Sequence, residues 1–259
     1  MPTPSLRTVA LPSEHGGWSL TLEPVVLGLL VVPSLSGVAL GWAALLIFVA
    51  RTPIKVVLVD RWRDHWRQRS RVASAVAGVE LAAIAVVVAL AISAASAPFW
   101  WPFAVAAPLI GVELWHDMLS RSRRLAAELA GAIGVGSMAA AIALTGGASS
   151  GLAAGLWLVM GARSVAAITF VRVQVHRVKG QEHTIWHSDL GQAVALALAA
   201  VGLVLDVVPV LGVLVITVAA LFDVVMVRRP PVPAVVLGIQ QIVLGLLVVT
   251  VTGLALGQV

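Results

Sequence analysis

The sequence predicts an all-α fold, a polytopic transmembrane helix bundle of about nine helices. Three observations carry that expectation. Hydrophobic residues fill 60% of the 259 positions and charged residues only 11%, and the mean hydropathy is +1.02. A soluble domain carries roughly a quarter charged residues, so this composition excludes a soluble globular enzyme and a disordered chain. The apolar residues also gather into nine runs, each near the roughly 20 residues a spanning helix needs. Finally, all 17 Lys and Arg fall in or beside alternate connections between those runs. The runs leave no room for a soluble unit, so 1–259 reads as a single integral membrane domain.

The runs are 18–36, 38–59, 72–95, 99–116, 125–145, 151–172, 189–206, 208–227 and 232–256. Turn chemistry divides them. Ser34-Leu35-Ser36-Gly37 separates the first two, Ala97-Pro98 the third and fourth, and Thr145-Gly146-Gly147 the fifth and sixth. Asp206 to Pro209 separates the seventh and eighth, and Arg228-Arg229-Pro230-Pro231 the last pair. The stretch 189–227 admits a second reading as a re-entrant hairpin. The N-terminal apolar run is interrupted by Glu23-Pro24 and lacks a small-residue cleavage site, so it is expected to be retained. Gly131, Gly134 and Gly136 suggest close helix packing in a membrane.

Sidedness follows from charge. With the N-terminus inside, the inner segments are the N-terminal tail, 60–71, 117–124, 173–188 and 228–231. These segments and their flanks hold every Lys and Arg, as the positive-inside rule requires. The expected location is therefore the plasma membrane, with a cytoplasmic N-terminus. Trp100 and Trp101 fit an outer interfacial belt, and Trp62, Trp66 and Trp186 an inner one. The basic balance thus reflects topology and anionic lipid, and no nucleic-acid partner is expected. Cysteine is absent, which excludes thiol chemistry.

Ionisable side chains inside spans are expensive and mark candidate sites. Here they are Glu23, Arg51, Lys55, Glu80, Glu113 and Arg163. Arg51 and Lys55 share one helical face, with Glu23, Glu80 and Glu113 as expected partners. Glu14-His15-Gly16-Gly17-Trp18 opens the first span. Its glycines would let backbone N–H groups approach an anion, and Glu14 and His15 would exchange protons as the catalytic pair. Glu23-Pro24 is expected to break that helix. Asp60 and Asp64 would project from one helical face and could hold Mg²⁺. The alternative is a solvated helix end paired with Arg61, Arg63 and Arg67. The loop from Arg172 to Asp189 is expected to bind an anion or headgroup through Arg172 and His176. His183 and His187 have metal-compatible spacing only if that loop is helical. A weak repeat links Arg51-Thr52, Asp60 and Asp64 to Arg163-Ser164, Arg172 and His176 at equal offsets, suggesting two pseudo-repeats.

The Pro12-Ser13-Glu14-His15-Gly16-Gly17-Trp18 segment resembles the opening Pro-x-x-His-Gly-x-Trp pattern of the YwiC-like family of bacterial integral membrane proteins. Leu237-Gly238-Ile239-Gln240-Gln241 resembles that family's late Gly-Ile element, where an acid often stands in place of Gln240 or Gln241. More remotely, the plan is similar to UbiA-type intramembrane prenyltransferases. Those are nine-helix folds with polar motifs at the inner ends of the second and sixth helices, where Mg²⁺ holds an isoprenyl diphosphate. That resemblance implies metal at Asp60 and Asp64, while Arg172 and His176 stand where acids are expected.

Three functions remain open. One is an intramembrane transferase or lipid-binding protein, whose amphiphilic, anionic substrate would meet Arg51, Lys55, Arg163, Arg172 and His176. The second is a transporter of a small anionic or amphiphilic solute. The third is a structural or assembly membrane protein.

Overall fold

The computed structural model describes residues 15–257, with side chains from 17 onward. Among these residues there are nine helices and no strand. They are α1 (His15–Val31), α2 (Leu35–Trp62), α3 (Gln68–Ala94), α4 (Trp101–Met118), α5 (Leu125–Thr145), α6 (Ser150–Val178), α7 (Trp186–Val204), α8 (Val210–Met226) and α9 (Ala234–Leu256). Every predicted run became a helix. The reason is general: in hydrocarbon each backbone N–H and C=O must be satisfied within the segment. Six helices are long and apolar enough to cross a membrane, and α1 and α8 are shorter apolar helices. The protein is a multi-pass membrane helix bundle.

The centre is built from α5 and α6, whose most apolar windows are each 67% buried. Helix α1 packs against α5, α9, α2 and α6, and successive helices α4 through α9 pack on one another. Helix α3 leans on α2 at the periphery, and only 11% of its apolar window is buried. Small residues make the centre tight: Ala139, Ala140, Ala141, Ala143, Ala153 and Ala162 are fully enclosed. The predicted glycine packing is present. Gly134 admits the Ile110 side chain of α4, and Gly136 faces Met160 of α6.

Helix boundaries follow capping chemistry. Ser34 accepts a hydrogen bond from the Gly37 N–H at 3.0 Å and starts α2. Ser149 does the same for α6, from the Leu152 N–H at 3.2 Å. Left-handed residues follow several helix ends, as C-caps commonly do: Asp64 (φ 53), Ser120 (φ 54), Gly147 (φ 92), Gly180 (φ 63) and Asp206 (φ 56).

The far end of the bundle is knotted at Thr145. Its carbonyl accepts from the Ser96 N–H at 2.9 Å and the Ser96 hydroxyl at 2.7 Å, and its hydroxyl lies 3.3 Å from that of Ser34. This gathers the α1–α2, α3–α4 and α5–α6 connections at one end. The α7–α8 turn reaches the same end, since Val207 packs on Gly155 and Gly151 in the first turns of α6. The 189–227 segment is therefore a hairpin crossing the full bundle, and the re-entrant alternative is set aside.

Several local expectations are corrected. Helix α1 is continuous through Pro24, so Glu23-Pro24 does not break it. One missing N–H is tolerated where neighbouring helices hold the segment in place. Helix α6 continues to Val178, so Arg172 and His176 stand on a helix and the real connection is short. Trp101 turns inward against Trp157, ring centroids 6.2 Å apart, while Trp100 is 49% exposed as an interfacial residue should be.

Candidate functional site

Two separate clusters of charge lie within the helices. The first joins the basic ends of α2 and α4. Arg51 donates to Asp117 from Nε at 3.3 Å and from Nη2 at 3.2 Å, and Nη2 also meets Glu113 at 2.7 Å. Lys55 Nζ donates to the other Asp117 oxygen at 3.0 Å and to the Ser122 hydroxyl at 2.8 Å. The i,i+4 spacing of Arg51 and Lys55 brings both cations to one carboxylate. The Asp117 side chain is 1% exposed, whereas Arg51 and Lys55 keep 35% and 32%. Gly131 of α5 makes room for Glu113: a Cβ there would stand 2.5 Å from the carboxyl carbon.

The second cluster is deeper. Counting from the capped start of each helix, Arg51 is about 24 Å along α2 and Arg163 about 20 Å along α6. Arg163 is 4% exposed. Its Nη1 donates to Gln241 Oε1 at 2.9 Å, its Nη2 to the Gln241 carbonyl at 2.6 Å, and its Nε lies 3.4 Å from Glu23 Oε2. Ser19 donates to the other Glu23 oxygen at 2.5 Å. Gln241 Nε2 in turn donates to Asp223 at 3.0 Å. Four helices (α1, α6, α8 and α9) thus meet through one chain of side chains. Gly245 lets the Glu23 carboxylate lie against α9, since any Cβ there would overlap its oxygen.

The expected residues therefore divide. Arg51 and Lys55 come together, and of their expected partners only Glu113 joins them. Glu23 pairs with Arg163 instead, and Glu80 has one buried oxygen without a hydrogen-bond partner. Arg172 lies apart, donating to the Arg123 carbonyl at 2.8 Å and to Glu128 at 3.2 Å. His176 Nδ1 is 2.7 Å from the Arg172 carbonyl, one turn back on α6. Glu14 and the side chain of His15 lie outside the described residues. Gly17, expected to open backbone to a ligand, is covered by the Phe48 ring of α2.

The metal expectation loses its geometry. Helix α2 ends at Trp62 and Asp64 adopts a left-handed backbone, so Asp60 and Asp64 do not share a helical face. Asp60 accepts from the Ser70 hydroxyl at 2.7 Å. Among the described residues no three His, Asp or Glu side chains are arranged to hold a metal. His183 sits outside α7 and hydrogen-bonds the Gln181 carbonyl at 3.0 Å, so the His183–His187 spacing is not helical either.

Three participants escaped the sequence-based list. Asp117 was counted in a connection. Gln241 is uncharged and carries no signal by itself. Asp223 was legible, because it is the only charged residue in the run 208–227. At the basic end Arg228 forms a bidentate pair with Asp189, at 2.9 and 2.8 Å. That hydrogen bonding pushes the Arg228 ionisation upward. An open groove of about 610 Å³ lies beside the α2–α3 connection, lined by Trp66, Arg67, Gln68, Arg71, Val72 and Ala75.

The fold and these clusters define a class: a multi-pass membrane helix bundle with ion pairs inside its spans and, among the described residues, most of its basic side chains at one end. The family model for YwiC-like proteins matches residues 11–143, slightly more than half of the chain. The chain belongs to the YwiC-like family. No curated protein and no solved structure matches it. The matched region contains the whole Arg51–Lys55–Glu113–Asp117 cluster, but of the deeper one only Ser19 and Glu23.

Proposed function

We propose that this protein binds an amphiphilic anion, of the isoprenyl diphosphate or anionic lipid kind, at the cytoplasmic face of the plasma membrane. The observation that carries the reading is the pair Arg51 and Lys55. Both are anchored by the buried Asp117, yet each keeps about a third of its side chain exposed. Paired cations held in place are preorganised, and charge-assisted hydrogen bonds to phosphate oxygens are strong. A headgroup arriving there competes with Asp117 and Glu113 for donors already aligned. The arginines of the two adjoining connections raise the local anion concentration. The groove with Arg67 and Arg71 above Val72 and Ala75 offers the same combination, cations over an apolar floor. An apolar tail then lies along the lipid-facing helices. Protons, where transfer chemistry follows, are the task of Glu14 and His15. The same placement of head and tail is what a resemblance to UbiA-type prenyltransferases would imply. Its Mg²⁺ remains an option to be tested at Asp60, with the protein's own cations as the default.

The test is a thermal-shift titration of the detergent-purified protein with a long-chain isoprenyl diphosphate, with and without Mg²⁺. A ligand that binds the folded state raises apparent stability by mass action, about 2.7 kcal/mol at a hundredfold excess over Kd. A Mg²⁺-independent shift that is lost in Arg51→Gln and Lys55→Gln is expected. A shift that needs Mg²⁺ and vanishes in Asp60→Ala would restore the metal. The absence of any shift with diphosphate or with anionic lipid would reject the proposal and bring transport forward.

A further inference from the structure

The deeper cluster does not balance its charge. It holds two carboxylates, Glu23 and Asp223, each 1% exposed, and one guanidinium, Arg163, 4% exposed. The neighbours do not supply the missing cation. On α2, Arg51 and Lys55 are engaged by Asp117 and Glu113, Asp60 is bonded to Ser70, and Arg61 is solvent-facing. On α5, Glu128 faces Arg172 of α6. On α6, Arg177 donates to the Val227 carbonyl and His176 meets the Arg172 carbonyl. On α7, Asp189 is taken by Arg228, and His187 meets Thr184. Helix α9 carries no charged residue. Among the described residues, Arg163 is the single cation in contact with either chain end of the network.

Gln241 gives the network a direction. Its Oε1 faces the guanidinium and its Nε2 faces Asp223. A reversed amide would set its NH₂ against the guanidinium, which only donates, so Arg163 fixes the order Arg163–Gln241–Asp223. Glu23 has both the guanidinium and the Ser19 hydroxyl. Asp223 reaches the positive charge only through a neutral amide. Glu23 Oε2 and Arg163 Nε face each other at 3.4 Å as an ion pair without a hydrogen bond.

We propose that Asp223 is a proton-binding site, and that its proton closes the charge balance of the joint between α1, α6, α8 and α9. An uncompensated carboxylate in a dry interior is costly, and a single proton makes the network neutral. Asp223 lies one helical turn from the basic end of α8, which stops at Met226. When the proton leaves, two buried carboxylates share one guanidinium, while Gln241 still accepts from Arg163 and donates to Asp223. Proton occupancy thereby biases how four helices pack. The inference stands independently of anion binding at Arg51 and Lys55.

The test is an infrared pH titration of the full chain in lipid, read at the carbonyl stretch of protonated carboxylic acids. A titrating band that is lost in Asp223→Asn and shifted in Asp223→Glu is expected. Asn keeps the acceptor for Gln241, and Glu keeps the acid if Asn does not fold. A spectrum with no protonated carboxyl band, or one unchanged in both variants, overturns the proposal. A band lost instead in Glu23→Gln would move the proton to Glu23 and overturn the assignment to Asp223.

Discussion

Glu113 and Glu23 each lie where a glycine lets them. A Cβ at Gly131 would meet the Glu113 carboxyl group at 2.5 to 2.7 Å, so the Arg51 pair depends on the absence of a side chain there. Gly131→Val is expected to cost about 1–3 kcal/mol, the usual range for overpacking. In a Glu113→Ala background most of that cost should disappear, because the displaced group is gone. Unfolding midpoints of the four proteins in one detergent would check this, and equal costs in both backgrounds would refute it. The sequence exposes the candidates at this scale but not their partners. Arg51 and Lys55 read as a pair because i,i+4 spacing is local. Asp117 and Gln241 could not be read that way, because their roles come from helices that are distant in the chain.

Among the elements, α1, like α2 with Pro53 and α4 with Pro108, carries a proline inside its helix. Pro24 removes one N–H from the helix interior, and yet the helix runs from His15 to Val31. Packing against α5, α9, α2 and α6 supplies what the local backbone lacks. Pro24→Ala returns the missing donor to the Leu20 carbonyl, and a higher melting temperature is expected, since an interior proline costs a helix about 3 kcal/mol. A lower one would mean that the ring's packing outweighs the hydrogen bond. The nine helices themselves were legible from hydropathy alone. Their ends were less so. Helices α2 and α6 have 28 and 29 residues, about 42–44 Å at 1.5 Å per residue, against a hydrocarbon core of about 30 Å. Their polar last turns lie beyond the hydrophobic signal, which is why α6 outruns its apolar run and carries Arg172 and His176 on a helix.

For the whole molecule, the order of helices and the collection of basic residues make sidedness testable. The chain has no cysteine, so single substitutions report cleanly. Ala148→Cys in the α5–α6 turn and Gln181→Cys in the α6–α7 connection should react with a membrane-impermeant thiol reagent from opposite sides. Labelling of both from one side would reject the arrangement. Helices α2 and α6 share several features. Helices α2 and α6 both start at a serine cap, and each carries an arginine facing an acid two helices later. Arg51 meets Asp117 directly, whereas Arg163 reaches Asp223 through Gln241. The two diverge at their basic ends, where Asp64 has left its helix and His176 has not. Class, helix number and the clustering of basic connections were determined by the sequence alone, because hydropathy and charge act on each segment in place. The pairing of Glu23 with Arg163, the separation of Arg51 from Arg163 and the bridge at Gln241 were decided only by the tertiary structure. Those depend on which helices become neighbours, and neighbours are selected by shape and by the close approaches that Gly131 and Gly245 permit.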